Sequence, residues 1–373
     1  MNALVVAALL ASASTPPVEA PYPLDAVVRR YGESFVAGKP YLATVIAIST
    51  PAGRRVWGFG GIERDGQRVA PDGDTLYEIG SITKTFTGTL LADLADEGKV
   101  SLDDPVRKYL PEDWSIPRRD GREITLLQLA THSSSLPRMP PGFLTHTVLT
   151  LSVNDPYSEY RANDLAYALG QIELEQPIGS QVAYSNLGVG LLGFALARAD
   201  GRSNIDELFD SRLLTPLGLD DTTFTLSDEQ RTRLAPPFSE TGWPANTWHF
   251  DCLKACGGLR STADDLLTYA EAVFAGGDAP LQPAFQLAMQ PFRPTCEAER
   301  AIGLGWIVQP LRVPRGQPEC RLIWHNGGTG GYAAFLGLLP ERRSAIVVLS
   351  NSTGAVDPVL TKPVVTALLR ELR

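Results

Sequence analysis

Hydrophobic and polar positions follow a helical pattern over residues 22–38 and become β-rich over 41–49 and 56–62, with Pro51-Ala52-Gly53 marking a hairpin between the two. From Ser81 to about residue 230 the pattern changes to helices joined by long polar loops. Helical runs are predicted over 86–97, 164–173 and 187–198, the last apolar almost all round. Ser261-Thr262 is a good N-cap for a helix over 263–274. Strand patterns return over 304–308, 322–324, 332–339 and 344–350, and a closing helix is predicted over 358–372. Sheet, helices, then sheet and terminal helix imply an α/β domain built from both chain ends around an all-α domain. The expected boundaries are 21–80 with 235–373 for the α/β domain and 81–234 for the helical one, together one catalytic unit with its cleft at their junction.

Composition narrows the function classes. With 373 residues, 44% of them hydrophobic, the chain has enough apolar content for a large core and too much for a disordered protein. The net charge of −9 is spread without a basic patch, which argues against nucleic-acid binding. The N-terminus reads as a secretory signal peptide over residues 1–20: an apolar stretch from Ala3 to Ala11, then small residues, with cleavage expected after Ala13 or Ala20. No later apolar run reaches the 18 or so residues that a transmembrane helix needs, so a periplasmic or secreted mature chain without a membrane span is expected. Cys252, Cys256, Cys296 and Cys320 are an even number in a chain bound for an oxidising compartment, which predicts at least one disulfide of unspecified connectivity. Their spacing does not suit zinc.

Three short segments carry candidate chemistry. Ser81-Ile82-Thr83-Lys84 opens the helical pattern, so three-residue spacing puts Lys84 on the face of Ser81, while unsatisfied backbone N–H groups favour an oxyanion there. Alone this says little: with six lysines and 22 serines, such a spacing arises by accident in roughly one chain in three, usually as a capping serine near a solvated lysine. Tyr184-Ser185-Asn186 stands between a turn and the apolar helix and offers a phenol for proton transfer and an amide for substrate. His325-Asn326-Gly327-Gly328-Thr329-Gly330-Gly331-Tyr332 follows the predicted strand over 322–324, and its glycines permit close backbone approach to a ligand; standing alone it would read as a glycine-rich hairpin turn with an incidental histidine.

Taken in this order, the segments resemble the penicillin-recognising serine hydrolases: class C β-lactamases, D-Ala-D-Ala carboxypeptidases, D-aminopeptidases and carboxylesterases of the family VIII type. The resemblance covers most of residues 22–373 and includes the stretch 124–132, ending in His132, and Gly257-Gly258-Leu259. It implies a β-lactamase/transpeptidase-like fold, with an antiparallel sheet flanked by helices and an inserted helical domain. It also implies Ser81 as nucleophile, Lys84 as its activating partner, Tyr184 as proton shuttle and Asn186 as binder of the acyl amide. The N–H groups of Ser81 and Gly328 would form the oxyanion hole, and His325, Asn326 and Gly327 would meet the far end of the substrate. Either Lys84 or Tyr184 can be the working base. No metal or cofactor is implied. The third segment departs from the Lys-Thr-Gly usual in class C β-lactamases, lacking its cation and hydroxyl; Arg260 and Arg321 are candidates to replace the charge. The set favours a carboxypeptidase or D-amino-acid peptidase acting on cell-wall peptides. A β-lactamase and a carboxylesterase are the alternatives within the chemistry, and a penicillin-binding sensor module is the non-enzymatic one.

Overall fold

The computed structural model describes residues 22–64, 66–277, 279, 281–297, 299–311, 319–354, 356 and 361–371, so the signal-peptide segment lies outside the described residues. Among these, eight strands form one antiparallel sheet: β1 (Ala43–Thr50), β2 (Gly53–Gly60), β3 (Arg293–Pro294), β4 (Ala301–Ile302), β5 (Ile307–Leu311), β6 (Cys320–Gly328), β7 (Ala333–Leu339) and β8 (Ser344–Ser350). Their order is β2-β1-β8-β7-β6-β5-β4-β3, which joins the N-terminal hairpin to the last strand through the register Val45↔Leu349 and Ile46↔Val348.

The central strands β1, β7 and β8 are buried at every position and read as continuous apolar runs, because helices cover both faces of the sheet. On one face, Ile46, Ile48, Ile346 and Val348 pack with Val28 of α1 (Asp25–Val36) and Leu368 of α6 (Lys362–Glu371). On the other, Val45, Ala47, Val347 and Leu349 join Phe86 of α2 (Thr83–Asp96), Leu192 of α3 (Asn186–Ala199), Leu267 of α4 (Ala263–Phe274) and Phe285 of α5 (Gln282–Ala288). One core therefore runs from sheet to helical region. The α2 helix lies almost wholly inside it, and its threonines are tolerated there because they bond to carbonyls: Thr85 to Ile82 at 2.8 Å, Thr89 to Thr85 at 2.9 Å, Thr87 to Ala255 at 2.7 Å.

Several expectations need correction. The strand expected over 304–308 begins only at Ile307, because residues 303–306 make a tight turn closed by Gly303 N–H to Trp306 O at 2.8 Å. The strand expected over 322–324 is longer: β6 runs on through His325-Asn326-Gly327-Gly328, paired to β7 with Gly327↔Ala334. The closing helix is described from Lys362, with residues 358–360 outside the described residues. All four cysteines are free thiols, so the expected disulfide is absent. Cys252 instead donates to Tyr160 O at 3.0 Å, Cys256 is buried beside the Lys84 amine, Cys296 is exposed and Cys320 sits at the start of β6.

Candidate active site

Gly80–Ile82 forms a single tight turn that feeds directly into α2, so Ser81 stands at the entry to a buried helix. Gly80 adopts φ +50, and a Cβ there would lie 2.6 Å from Gly328 N; a Cβ on Gly327 would lie 1.9 Å from Ile79 O and 3.1 Å from Ser81 N. Only glycine permits this approach, which sets the end of β6 against the Ser81 turn.

One turn further along, Lys84 is fully buried. Its Nζ meets Ser81 Oγ at 3.0 Å, Asn186 Oδ1 at 2.9 Å and the carbonyl of Cys256. Three acceptors match the three N–H donors of an ammonium group. Small residues on α3 make the third contact possible, since Gly190 and Gly193 leave room for Leu253 and Ala255 to press against that helix and deliver the adjacent Cys256 carbonyl.

Tyr184 approaches from just before α3. Its Oη donates to Ser81 Oγ at 2.6 Å, so Ser81 is held by both neighbours at once. Ser185 caps α3, accepting from Gly188 N at 2.9 Å while donating to Pro137 O at 2.7 Å. Two cations face the Tyr184 ring, with Lys84 Nζ 4.8 Å and Arg138 Cζ 5.0 Å from its centroid. Asn186 is engaged at both ends of its amide, accepting from Lys84 and donating to Tyr157 Oη at 3.2 Å.

Two buried histidines border the phenol. His132 packs 4.5 Å from the Tyr184 ring and accepts from Ser185 N at 3.2 Å through Nδ1. Burial, reinforced by Lys84, holds it well below the usual imidazole range. His325 donates from Nδ1 to Asn326 O, and burial followed by the Lys84 charge pushes it down to about 3. Both are therefore neutral at physiological pH, and His325 brings no cation to the site.

Two cavities flank Ser81. One, of about 500 Å³, runs along β6 and is lined by Tyr184, His325, Asn326, Gly327 and Gly328. The other, of about 280 Å³, is walled by Phe143, Tyr157, Trp248 and Phe250, with Asn186 at its base. Of the eight expected catalytic and substrate-binding residues, seven line these two cavities and Lys84 lies buried against Ser81. Arg260 and Arg321 do not line them: Arg260 is buried against Glu78 at 3.2 Å, and Arg321 pairs with Glu341 at 2.7 Å. Among the described residues that line the two cavities the positive side chain is Arg138, which sequence reasoning missed, together with the roles of Tyr157 and Trp248; nothing local distinguishes these residues from ordinary loop and core positions.

The chain matches the Beta-lactamase family over residues 33–370. It is 32% identical to the D-alanyl-D-alanine-carboxypeptidase/endopeptidase AmpH of Escherichia coli K12, over 94% of this chain and 92% of that one. It is 26% identical to a Beta-lactamase of the same organism, over 92% of this chain and 93% of that one. A Beta-Lactamase/D-Alanine Carboxypeptidase from Pseudomonas syringae superposes with a TM-score of 0.77 at 22% identity, covering 94% of this chain and all of that one, which shows the same fold. A family match over nearly the whole chain and the fold shared with these enzymes lead to one conclusion: this chain belongs to the Beta-lactamase family and is a serine hydrolase.

Proposed function

We propose that the enzyme is a D-Ala-D-Ala-type carboxypeptidase or D-amino-acid peptidase that carries the substrate's acyl group as an ester on Ser81. The observation that carries the chemistry is the double contact on Ser81 Oγ, 3.0 Å from Lys84 Nζ and 2.6 Å from Tyr184 Oη. In the attacking form Tyr184 is a phenolate, with Lys84 Nζ and Arg138 facing its ring, and its oxygen takes the Ser81 proton as Oγ bonds to the substrate carbonyl carbon. Attack on the carbonyl forms a tetrahedral adduct whose oxyanion the N–H groups of Ser81 and Gly328 would hold. Collapse expels the leaving amine, which takes its proton from Tyr184, and water then hydrolyses the ester by the reverse relay. A leaving group protonated by Tyr184 occupies the larger cavity on that phenol's side. The acyl part then lies in the aromatic cavity over Asn186.

The choice of peptide substrate rests on the similarity to AmpH, whose name records that activity, and on the neutral His325-Asn326-Gly327 segment. A β-lactamase is the second reading, favoured by the relative of that name at 26% identity. We also propose export to the periplasm or medium; no helix among the described residues is long and apolar enough to cross a membrane. The test compares, on one preparation, hydrolysis of a D-Ala-D-Ala-terminated tripeptide, nitrocefin and a nitrophenyl ester. The highest kcat/KM is expected on the tripeptide; a higher value on nitrocefin or on the ester reassigns the enzyme accordingly.

A further inference from the structure

Among the described residues lining the two cavities beside Ser81, Arg138 alone carries a positive side chain. It borders both. Other arginines of this acidic protein hold carboxylates: Arg161 with Asp251, Arg212 with Asp200, Arg233 with Asp221, Arg321 with Glu341. Arg138 is exposed in the cleft, and no described carboxylate pairs with it. Its backbone is nevertheless fixed. The Arg138 carbonyl accepts from the N–H groups of Asn186 and Leu187 at 3.0 and 3.2 Å, and the neighbouring Pro137 carbonyl accepts from Ser185 Oγ. The guanidinium is thus anchored at its root, steered by the Tyr184 ring at 5.0 Å, and left with its donor fork open to the cleft.

We propose that Arg138 is a specificity-determining residue that binds the free carboxylate of the substrate's departing residue. This rests on the reading of the enzyme as a carboxypeptidase. In an α-amino acid the carboxylate carbon is two bonds from the nitrogen. A leaving amine that meets Tyr184 Oη therefore places its carboxylate beside that phenol, on the side where Arg138 stands. The planar fork accepts a carboxylate bidentately, and an amide or ester at the same place leaves the guanidinium without its anion.

The test uses matched pairs on wild type, Arg138→Gln and Arg138→Lys: the tripeptide acid against its C-terminal amide, and penicillin G against its methyl ester, the latter followed as acylation rate by mass spectrometry. The readout is the ratio of acid to uncharged partner, which cancels any general effect of Arg138 on Tyr184. Wild type is expected to prefer the acid by about 10- to 100-fold. In Arg138→Gln the ratio should fall to near one, and Arg138→Lys should restore part of it. An unchanged ratio in Arg138→Gln on both pairs overturns the proposal. If the tripeptide is not cleaved but the penicillin ratio depends on Arg138, the carboxypeptidase reading fails and the role of Arg138 stands. If the tripeptide is cleaved with a ratio indifferent to Arg138, the reverse holds.

Discussion

Tyr184→Phe is expected to lower turnover by about 10²–10⁴-fold with little change in melting temperature. The substitution keeps the ring that packs on His132 and under Arg138, and it removes only the hydroxyl held at 2.6 Å from Ser81. A residue that merely packs would give the opposite result, near-normal rate with the contacts retained. Lys84→Ala should be at least as damaging to the rate, and it also strands the Asn186 amide oxygen and the Cys256 carbonyl that the buried amine serves. Because both groups act on one oxygen, the double variant is expected to be scarcely worse than the worse single one. Additive losses would mean two independent roles. Steady-state rates on the tripeptide, with melting curves for each variant, decide between these outcomes.

The largest effect on stability is expected at Arg260→Met. Arg260 and Glu78 form an ion pair in which both side chains are almost wholly buried, and Arg260 also serves the carbonyls of Phe224 and Trp248. Burial pushes the Glu78 carboxyl above the usual carboxylate range, with the attraction of Arg260 opposing it. The pair is thus a costly structure whose partners cannot be separated: removing one strands the other, at about 3–5 kcal/mol. Chemical unfolding should show that loss, and Glu78→Gln added to Arg260→Met should recover part of it. A loss below about 1 kcal/mol for Arg260→Met would mean that the pair is hydrated or readily replaced. Glu78 Oε1 also accepts from Trp248 N at 2.7 Å, so the same change should loosen one wall of the aromatic cavity.

The sequence was most legible where chemistry depends on local spacing. Ser81 and Lys84 meet because they are three residues apart at a helix entry, and Tyr184 with Asn186 comes as a unit at the start of the next buried helix. The glycines of the His325-Asn326-Gly327-Gly328 segment signalled close backbone approach, but the strand before it was expected to stop at Trp324 and instead runs on to Gly328. Glycines usually signal a bend, whereas here they let a sheet strand lie directly against the nucleophile's turn. That requirement belongs to the contact between distant segments and leaves no local pattern. Arg138 was illegible for a similar reason: its position depends on hydrogen bonds to the start of α3, some fifty residues away, and those use backbone atoms that every residue has. The cysteines show the limit of counting, because an even number says nothing about whether any two are within bonding reach.

The nucleophile itself is the claim on which the rest depends. Incubated with penicillin or a fluorophosphonate, the intact protein is expected to gain the mass of one adduct, carried by the peptide that contains Ser81 and absent from Ser81→Ala. An adduct of the same mass and extent on Ser81→Ala would contradict the account.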